Sequence, residues 1–471
     1  MAQQPKSHIN RIHLQKDPAR RQSKSESVNA LTYPNPIHFY YRRFSFHLPA
    51  NNKLYSALAQ IGNEPNNMKK NIFFFIFLFF ISCLGQISSD LYLPALPTIR
   101  NLFFTSEHWM QITLAIFMFG FSVSHLIYGP ISDYIGRKKP LIVGVGICMI
   151  GTLICRFSTS IESLIIGRAL QGLGAGAGAA LFLSILRDVY EGNTLAKISS
   201  FLGISRVILL ASAPLIGSYL LHFFNWRACF SFLFIYSTLC FIGSFFILKE
   251  TNQQQNINPI RIKVIAKNMW GLCMHPVFIS NAFCVMLAFS GILAWLTTLP
   301  FLLQDVVGLT PIQFGWISAL AGLFFIVGGF INAMVVERFG LVKMLFVGLL
   351  IMLIASLVML SFGLTHKINT TVIMVPVIIY IIGSSFIFSN AYAGAMHPFS
   401  KMAGTAAAVF GFLQILGGAI SSALMSTFKN HNQTPLALIL FFSSVLALLI
   451  QHFANKSKLH DNVDRHTHKV N

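Results

Sequence analysis

Two long apolar runs are separated by the polar stretch Gly129-Pro-Ile-Ser-Asp133-Tyr-Ile-Gly136-Arg137-Lys138-Lys139. Two later apolar runs are separated by the stretch Asn332-Ala-Met-Val-Val-Glu337-Arg338-Phe-Gly340-Leu-Val-Lys343. When Asp133 is aligned with Glu337, each acidic residue is followed three positions later by a glycine, and basic residues flank or follow that glycine. This internal repeat predicts a chain built from two parallel halves with a central site between them.

The composition around these stretches is that of a membrane protein. The chain has 471 residues, of which 55% are hydrophobic and only 10% are charged, and its mean hydropathy is +0.66. Soluble domains carry about 25% charged residues, so that class is excluded. Seven cysteines are too few and too scattered for a secreted disulfide scaffold, and no Cys or His pair has zinc spacing.

Apolar runs long enough to cross a bilayer recur along the chain, and helices are the economical structure for them in lipid. The fold class predicted is an all-α polytopic membrane protein. Twelve spans are predicted, near residues 72–95, 108–128, 141–158, 162–186, 195–221, 228–248, 277–301, 312–335, 342–362, 370–392, 402–427 and 435–454.

This segmentation predicts five regions: a basic tail (1–70), a six-helix half (71–248), a central cytoplasmic loop (249–276), a second six-helix half (277–454) and a cytoplasmic C-terminal tail (455–471). Residues 1–70 are polar and show no helical period, so we expect them to be disordered. Alternatively they are an upstream extension, because the run from Met68 through Lys69 and Lys70 has the form of a membrane-protein start.

The charge distribution predicts orientation. A formal net charge of +20 would suggest nucleic-acid binding in a soluble protein, but 11 of the 34 Lys and Arg residues lie within 1–70 and most others in short loops. Beyond residue 70, the loops predicted to be cytoplasmic carry 16 basic residues and the opposite loops carry 5. We therefore expect both termini on the cytoplasmic side and no nucleic-acid partner.

Several motifs give the chain a resemblance to the major facilitator superfamily. They are the Gly129–Lys139 loop, Arg168-Ala-Leu-Gln171-Gly172-Leu-Gly174 in the fourth span, and Ala213-Pro214-Leu-Ile-Gly217 in the fifth span. The stretch Asp90-Leu-Tyr92-Leu-Pro94-Ala-Leu-Pro97 closely resembles the first span of Bcr/CflA-type drug:proton antiporters. The likeness in organisation covers about 72–454, with the motifs concentrated in 88–230. Tyr134 departs from the loop motif, and Ala213 and Ser218 depart from the fifth-span motif.

The resemblance implies a proton-coupled secondary transporter of the bacterial inner membrane that exports small amphipathic compounds. It implies a monomer in contact with membrane lipids, with no cofactor and no metal, and not an enzyme. It assigns a cytoplasmic gate to Gly129, Asp133, Gly136, Arg137 and Lys138. It assigns the antiporter motif to Pro214 and Gly217.

Three charged residues inside the spans are candidates for function, because such groups are costly in lipid. Asp90 and Arg168 both lie in the outer half of the membrane by their distance along the helix. A carboxyl that moves between buried and cation-flanked surroundings can bind and release a proton, so we expect these two residues to couple transport to protons in a shared cavity. Alternatively Asp90 caps a turn and Arg168 extends towards the membrane surface.

The substrate cavity is predicted to include Tyr92, Arg206, Asn390 and Tyr392. Arg206 lies near the middle of the fifth span, where it binds an anionic substrate group, pairs with Asp90, or makes a structural pairing to backbone carbonyls. The glycines at 172, 174, 176 and 178 predict close helix packing in the fourth span.

Two other functions stay open at this stage. One is a dedicated exporter of an anionic metabolite such as a siderophore, which Arg206 would favour. The other is a transporter-like receptor that binds a ligand without moving it, for which the long basic tail is the only indication. An enzyme is disfavoured, because the spans contain no combination of a nucleophile and a base.

Overall fold

A computed structural model describes residues 65–252, 262–365, 368–428 and 432–467. The tail predicted for residues 1–70 lies outside this part except for its last six residues, which begin the first helix, Pro65–Asp90. The described chain consists almost entirely of helices, and these belong to one compact unit.

Twelve stretches of the described chain are long and apolar enough to cross a membrane, as predicted. Spans 1 to 6 are Ile72–Leu102, Glu107–Ile135, Lys138–Phe157, Ile161–Val189, Gly192–Phe223 and Trp226–Phe246. Spans 7 to 12 are Pro276–Val306, Pro311–Phe339, Leu341–Leu364, Thr370–Phe399, Ala403–Met425 and Thr434–Ala454. The last helix continues beyond its span to Thr467.

Three spans contain irregular turns and one loop is helical. Span 10 ends in the 3₁₀ turn His397–Met402. Span 1 breaks after Asp90, passes through a short 3₁₀ turn, Leu93–Ala95, and resumes as the helix Leu96–Leu102. Span 7 ends in a π-helical turn, Phe301–Val306. The predicted central loop contains the helix Ile262–Met274, whose apolar face contacts spans 7 and 11. From its sequence, residues 249–276 are predicted only as a polar loop, without this helix.

The internal repeat has a structural counterpart. Gly136 and Gly340 both end a helix with positive φ angles of 92° and 82°, and their ψ angles are 164° and 158°. Glycine adopts this backbone conformation without the steric cost that a side chain adds. The two loops therefore turn the chain in the same way at corresponding places in the two halves. We call the end of the bundle that carries residues 133–139 the motif end.

Glycines bring helices of the first half close together, as predicted for span 4. A Cβ at Gly172 or Gly176 would overlap span 2, one at Gly174 would overlap span 3, and one at Gly178 would overlap span 1. Between the halves, span 2 packs on span 11 and span 5 packs on span 8. These two contacts leave space between the halves for the cavities described next.

Candidate functional site: two connected cavities between the halves

Two cavities lie between the halves. The upper cavity has a volume of about 330 Å³ and includes Asp90 in its wall. The lower cavity has a volume of about 620 Å³ and extends to the exposed residues Arg187 and Asp188 at the motif end. Gln86, Arg206 and Gln414 line both cavities. The two spaces therefore adjoin at these three polar side chains.

The upper cavity is mostly apolar. Most of its aromatic and aliphatic side chains come from spans 7, 8 and 10 of the second half, and they are Phe289, Ile292, Trp295, Leu296, Phe325, Ile381 and Phe388. Its charged side chains are Asp90 and Arg206, both from the first half. An apolar wall with a few polar groups is the usual form of a site for organic molecules.

Asp90 lies where span 1 breaks. Its side chain is buried, and its carboxylate accepts a hydrogen bond from the Ser89 hydroxyl. The break brings the chain against span 5, because a Cβ at Gly217 would overlap the carbonyl oxygen of Leu91. Gly217 of the predicted antiporter motif thus allows the close approach of span 5, and Pro214 of the same motif lines the upper cavity.

Arg168 is fully buried behind this wall and lines neither cavity. Its Nη1 donates to the carbonyl of Ser88 at 2.7 Å and to Oε1 of Gln171 at 2.5 Å. Its guanidinium lies 4.3 Å from the Tyr92 ring centroid and 4.1 Å from that of Phe117. Arg168 therefore does not line the upper cavity, whose wall includes Asp90. Arg168 instead holds the backbone two residues before Asp90.

The other predicted cavity residues are divided. Tyr392 lines the lower cavity and packs edge-on against Phe410 with 5.2 Å between ring centroids. Tyr92 lines neither cavity, and its hydroxyl hydrogen-bonds to Thr113 at 3.0 Å. Asn390 lines neither cavity, and its amide donates to Asn332 at 2.8 Å. Tyr92 and Asn390 are therefore occupied by contacts between helices.

The motif end carries a network of charges around Arg137. Its guanidinium forms ion pairs with Asp133 and, at 2.9 Å, with Asp188 of span 4. Asp133, Arg137 and Gly129 all line the lower cavity, while Lys138 donates to the carbonyl of Phe245 at 2.8 Å. The described partners of Asp133 and Arg137 all belong to the first half or to the segment directly after it, so the network does not bridge the lower cavity to the second half.

Glu250 is part of this network and was not identified from the sequence. Its carboxylate accepts hydrogen bonds from the backbone N–H groups of Arg137 at 2.8 Å and Lys138 at 3.2 Å, at the N-terminus of span 3. Partial burial raises the pKa of Glu250, but the backbone amides, that of Arg137 first, lower it more, so its pKa is below the ordinary value. A Cβ at Gly136 would overlap this carboxylate.

The opposite end of the bundle is closed by bonds between the halves. Nη1 of Arg100 donates to Oδ2 of Asp305 at 2.8 Å, and Gln304 donates to the carbonyl of Pro94 at 3.1 Å. His108 also hydrogen-bonds to the carbonyl of Ser426 at 2.8 Å. These three bonds join the halves of the described chain at the end opposite the motif end.

Twelve spans in two halves, with cavities between them that open at one end, define a membrane transporter. The chain belongs to the Major Facilitator Superfamily, whose sequence profile matches residues 78–422. It is 26% identical to the bicyclomycin resistance protein homolog of Haemophilus influenzae over 84% of this chain and 99% of that one. It is 28% identical to multidrug resistance protein D of Escherichia coli over 81% of this chain and 95% of that one.

The same fold occurs in a solved structure. The partially occluded inward-open xylose transporter XylE from E. coli superposes with a TM-score of 0.63 over 80% of this chain and 96% of that one, at 14% identity. These likenesses confirm the predicted fold and the resemblance to Bcr/CflA-type drug transporters. The chain is accordingly a multi-pass membrane transporter of small molecules and not an enzyme.

Proposed function

We propose that this protein exports small amphipathic organic compounds across the bacterial inner membrane in exchange for protons. The observation that carries the proposal is the apolar upper cavity, which adjoins the lower cavity and has the carboxyl group of Asp90 in its wall. The resistance-protein names of two relatives support a drug-like substrate. The excess of basic residues supports a cytoplasmic motif end.

Transport would proceed by alternating access in a monomer. Residues 71–248 would rock against residues 277–454, so that bonds such as Arg100–Asp305 break while the motif end closes. Asp133 and Arg137 would then meet the second half across the lower cavity. Asp90 would take up a proton in one orientation and release it in the other, and substrate in the adjoining space would favour the second orientation.

The proposal is tested in an efflux-deficient bacterial host and in inverted vesicles from it. Expression should raise resistance to some members of a panel of anionic, neutral and cationic amphipathic compounds. Addition of those members to energised vesicles should dissipate the pH gradient. Counterflow of a labelled member in proteoliposomes should also occur, whereas a receptor would bind it without counterflow. A protein that moves no member of the panel contradicts the proposal.

A further inference from the structure

Three polar side chains form the boundary between the two cavities, and we call Gln86, Arg206 and Gln414 the polar waist. Gln86 lies about 21 Å along span 1 from Ile72, and Arg206 lies about 21 Å along span 5 from Gly192. Gln414 comes from the second half and lies about 16 Å along span 11 from Ala403. The waist is therefore near the middle of the membrane and joins both halves.

Arg206 and Arg137 both line the lower cavity, but they differ in their ion pairs. Arg137 forms two ion pairs, whereas no described residue forms a salt bridge with Arg206. The Arg206 guanidinium lies 5.6 Å from the Phe182 ring centroid. An aromatic ring does not neutralise its charge. A cation at this depth is costly, and such groups usually face a polar cavity or pair with an opposite charge. Arg206 faces both cavities and has no described ion pair.

The cavities contain few alternatives for neutralising that charge. Asp90 lies one helical turn, about 6 Å, beyond Gln86 along span 1, and Cys83 lies about one turn before Gln86. Asp90 lines the upper cavity with Arg206, but the two side chains form no ion pair in the described structure. The other charged side chains of the lower cavity, Asp133, Arg137, Arg187 and Asp188, belong to its mouth at the motif end. His125 lines the lower cavity with its Nδ1 bonded to the carbonyl of Phe121.

We propose that the polar waist binds the carboxylate of an amphipathic substrate, while the apolar body of that substrate fills the upper cavity. A carboxylate accepts hydrogen bonds only, and the guanidinium and two side-chain amides of the waist together offer donors for both of its oxygens. This inference rests on the proposed function, and it names the chemical class that the site selects. An amphipathic cation would instead place its charge towards Asp90, away from Arg206.

The test is a binding measurement on the purified full chain with dansyl probes of matched shape. Dansylglycine carries a carboxylate that is ionised at pH 7, dansylglycinamide is its neutral counterpart, and dansylcadaverine is a cation. Wild type should bind dansylglycine at least tenfold more tightly than dansylglycinamide, which corresponds to about 1.4 kcal/mol. Gln414→Leu should reduce that preference, Arg206→Ala should abolish it, and Arg206→Lys should retain part of it.

Two controls separate a lost site from a lost fold. Arg156→Ala removes an arginine that lines neither cavity, so it should leave the preference unchanged. Binding of dansylglycinamide should be unchanged in every variant that is folded. Equal binding of the anionic and neutral probes by wild type, tighter binding of dansylcadaverine, or no binding of any probe overturns the proposal. Because the measurement requires no transport, its failure is distinguishable from a failure of the export function.

Discussion

Arg100 and Asp305 join the two halves at the end opposite the motif loop, with 2.8 Å between Nη1 and Oδ2. The guanidinium of Arg100 also lies 5.8 Å from the Phe301 ring centroid and 3.3 Å from the Glu107 carboxylate. Arg100 lies in the helix that follows the 3₁₀ turn of span 1. Asp305 lies in the π turn that ends span 7. This pair is therefore placed to stabilise the state in which the cavities open at the motif end.

Loss of the pair should loosen that end by a modest amount. The side chains of Arg100 and Asp305 are 21% and 30% exposed, and such pairs contribute up to about 1 kcal/mol, or roughly fivefold in an equilibrium. In the Arg100→Gln and Asp305→Asn variants, amide hydrogen exchange of residues 93–107 and 301–310 should be up to about fivefold faster than in wild type. The swapped variant Arg100→Asp with Asp305→Arg should recover slow exchange.

Arg156→Gln is the control for this experiment, because Arg156 lies at the same end of the bundle and its guanidinium contacts the ring of its neighbour Phe157. Exchange in this variant should equal that of wild type. If Arg100→Gln and Asp305→Asn also exchange like wild type, the pair does not hold this end closed.

Gly217→Ala should destabilise the protein, because a methyl group at this position would overlap the carbonyl oxygen of Leu91. Overpacking of this kind costs about 1–3 kcal/mol, so the unfolding midpoint in detergent should fall by several degrees. Gly203→Ala is the matched control on the same helix, because a Cβ there meets no atom within 4 Å. Equal midpoints for the two variants would show that span 1 adjusts to the methyl group.

Glu250 should stabilise the folded protein at neutral pH and lose this effect as the solution is acidified. Since its folded pKa lies below the ordinary value of 4.5, the contribution is complete above about pH 4.5 and is lost as the pH falls through the lowered pKa. Glu250→Gln should therefore be less stable than wild type at pH 7, by about 1 kcal/mol as for a lost helix cap. Unfolding curves should converge as the solution is acidified, and a difference that is constant between pH 7 and pH 3 contradicts this role.

Much of the fold could be predicted from the sequence because lipid leaves few choices. Apolar runs of sufficient length become helices, and the acidic residue three positions before Gly136 and Gly340 identified the two halves. The helix Ile262–Met274 was missed because its short amphipathic pattern lies within a polar segment that looks like a connection.

The site was less predictable because the direction of a side chain depends on which helices pack together. Tyr92 and Asn390 have the chemistry of cavity residues, yet Thr113 and Asn332 occupy their polar groups. Glu250 binds the backbone of Arg137 across 113 residues of sequence, which no local pattern reveals. The cavity position of Gln86 could have been predicted, because Gln86 precedes Asp90 by one helical turn and so lies on the same face of span 1. No such pattern indicates the position of Gln414.

We expect Asp90 to couple transport to protons. Asp90→Asn keeps nearly the same shape in the cavity wall but removes the group that can bind and release a proton, so substrate binding and exchange down a substrate gradient should persist. Uphill accumulation driven by a pH gradient in inverted vesicles should fall to the level of vesicles without the protein. Asp90→Glu should retain part of this accumulation at a shifted pH optimum. Glu162→Gln, which changes an exposed carboxylate at the start of span 4, should accumulate substrate as wild type does. Full pH-driven accumulation by Asp90→Asn would assign the coupling to another group.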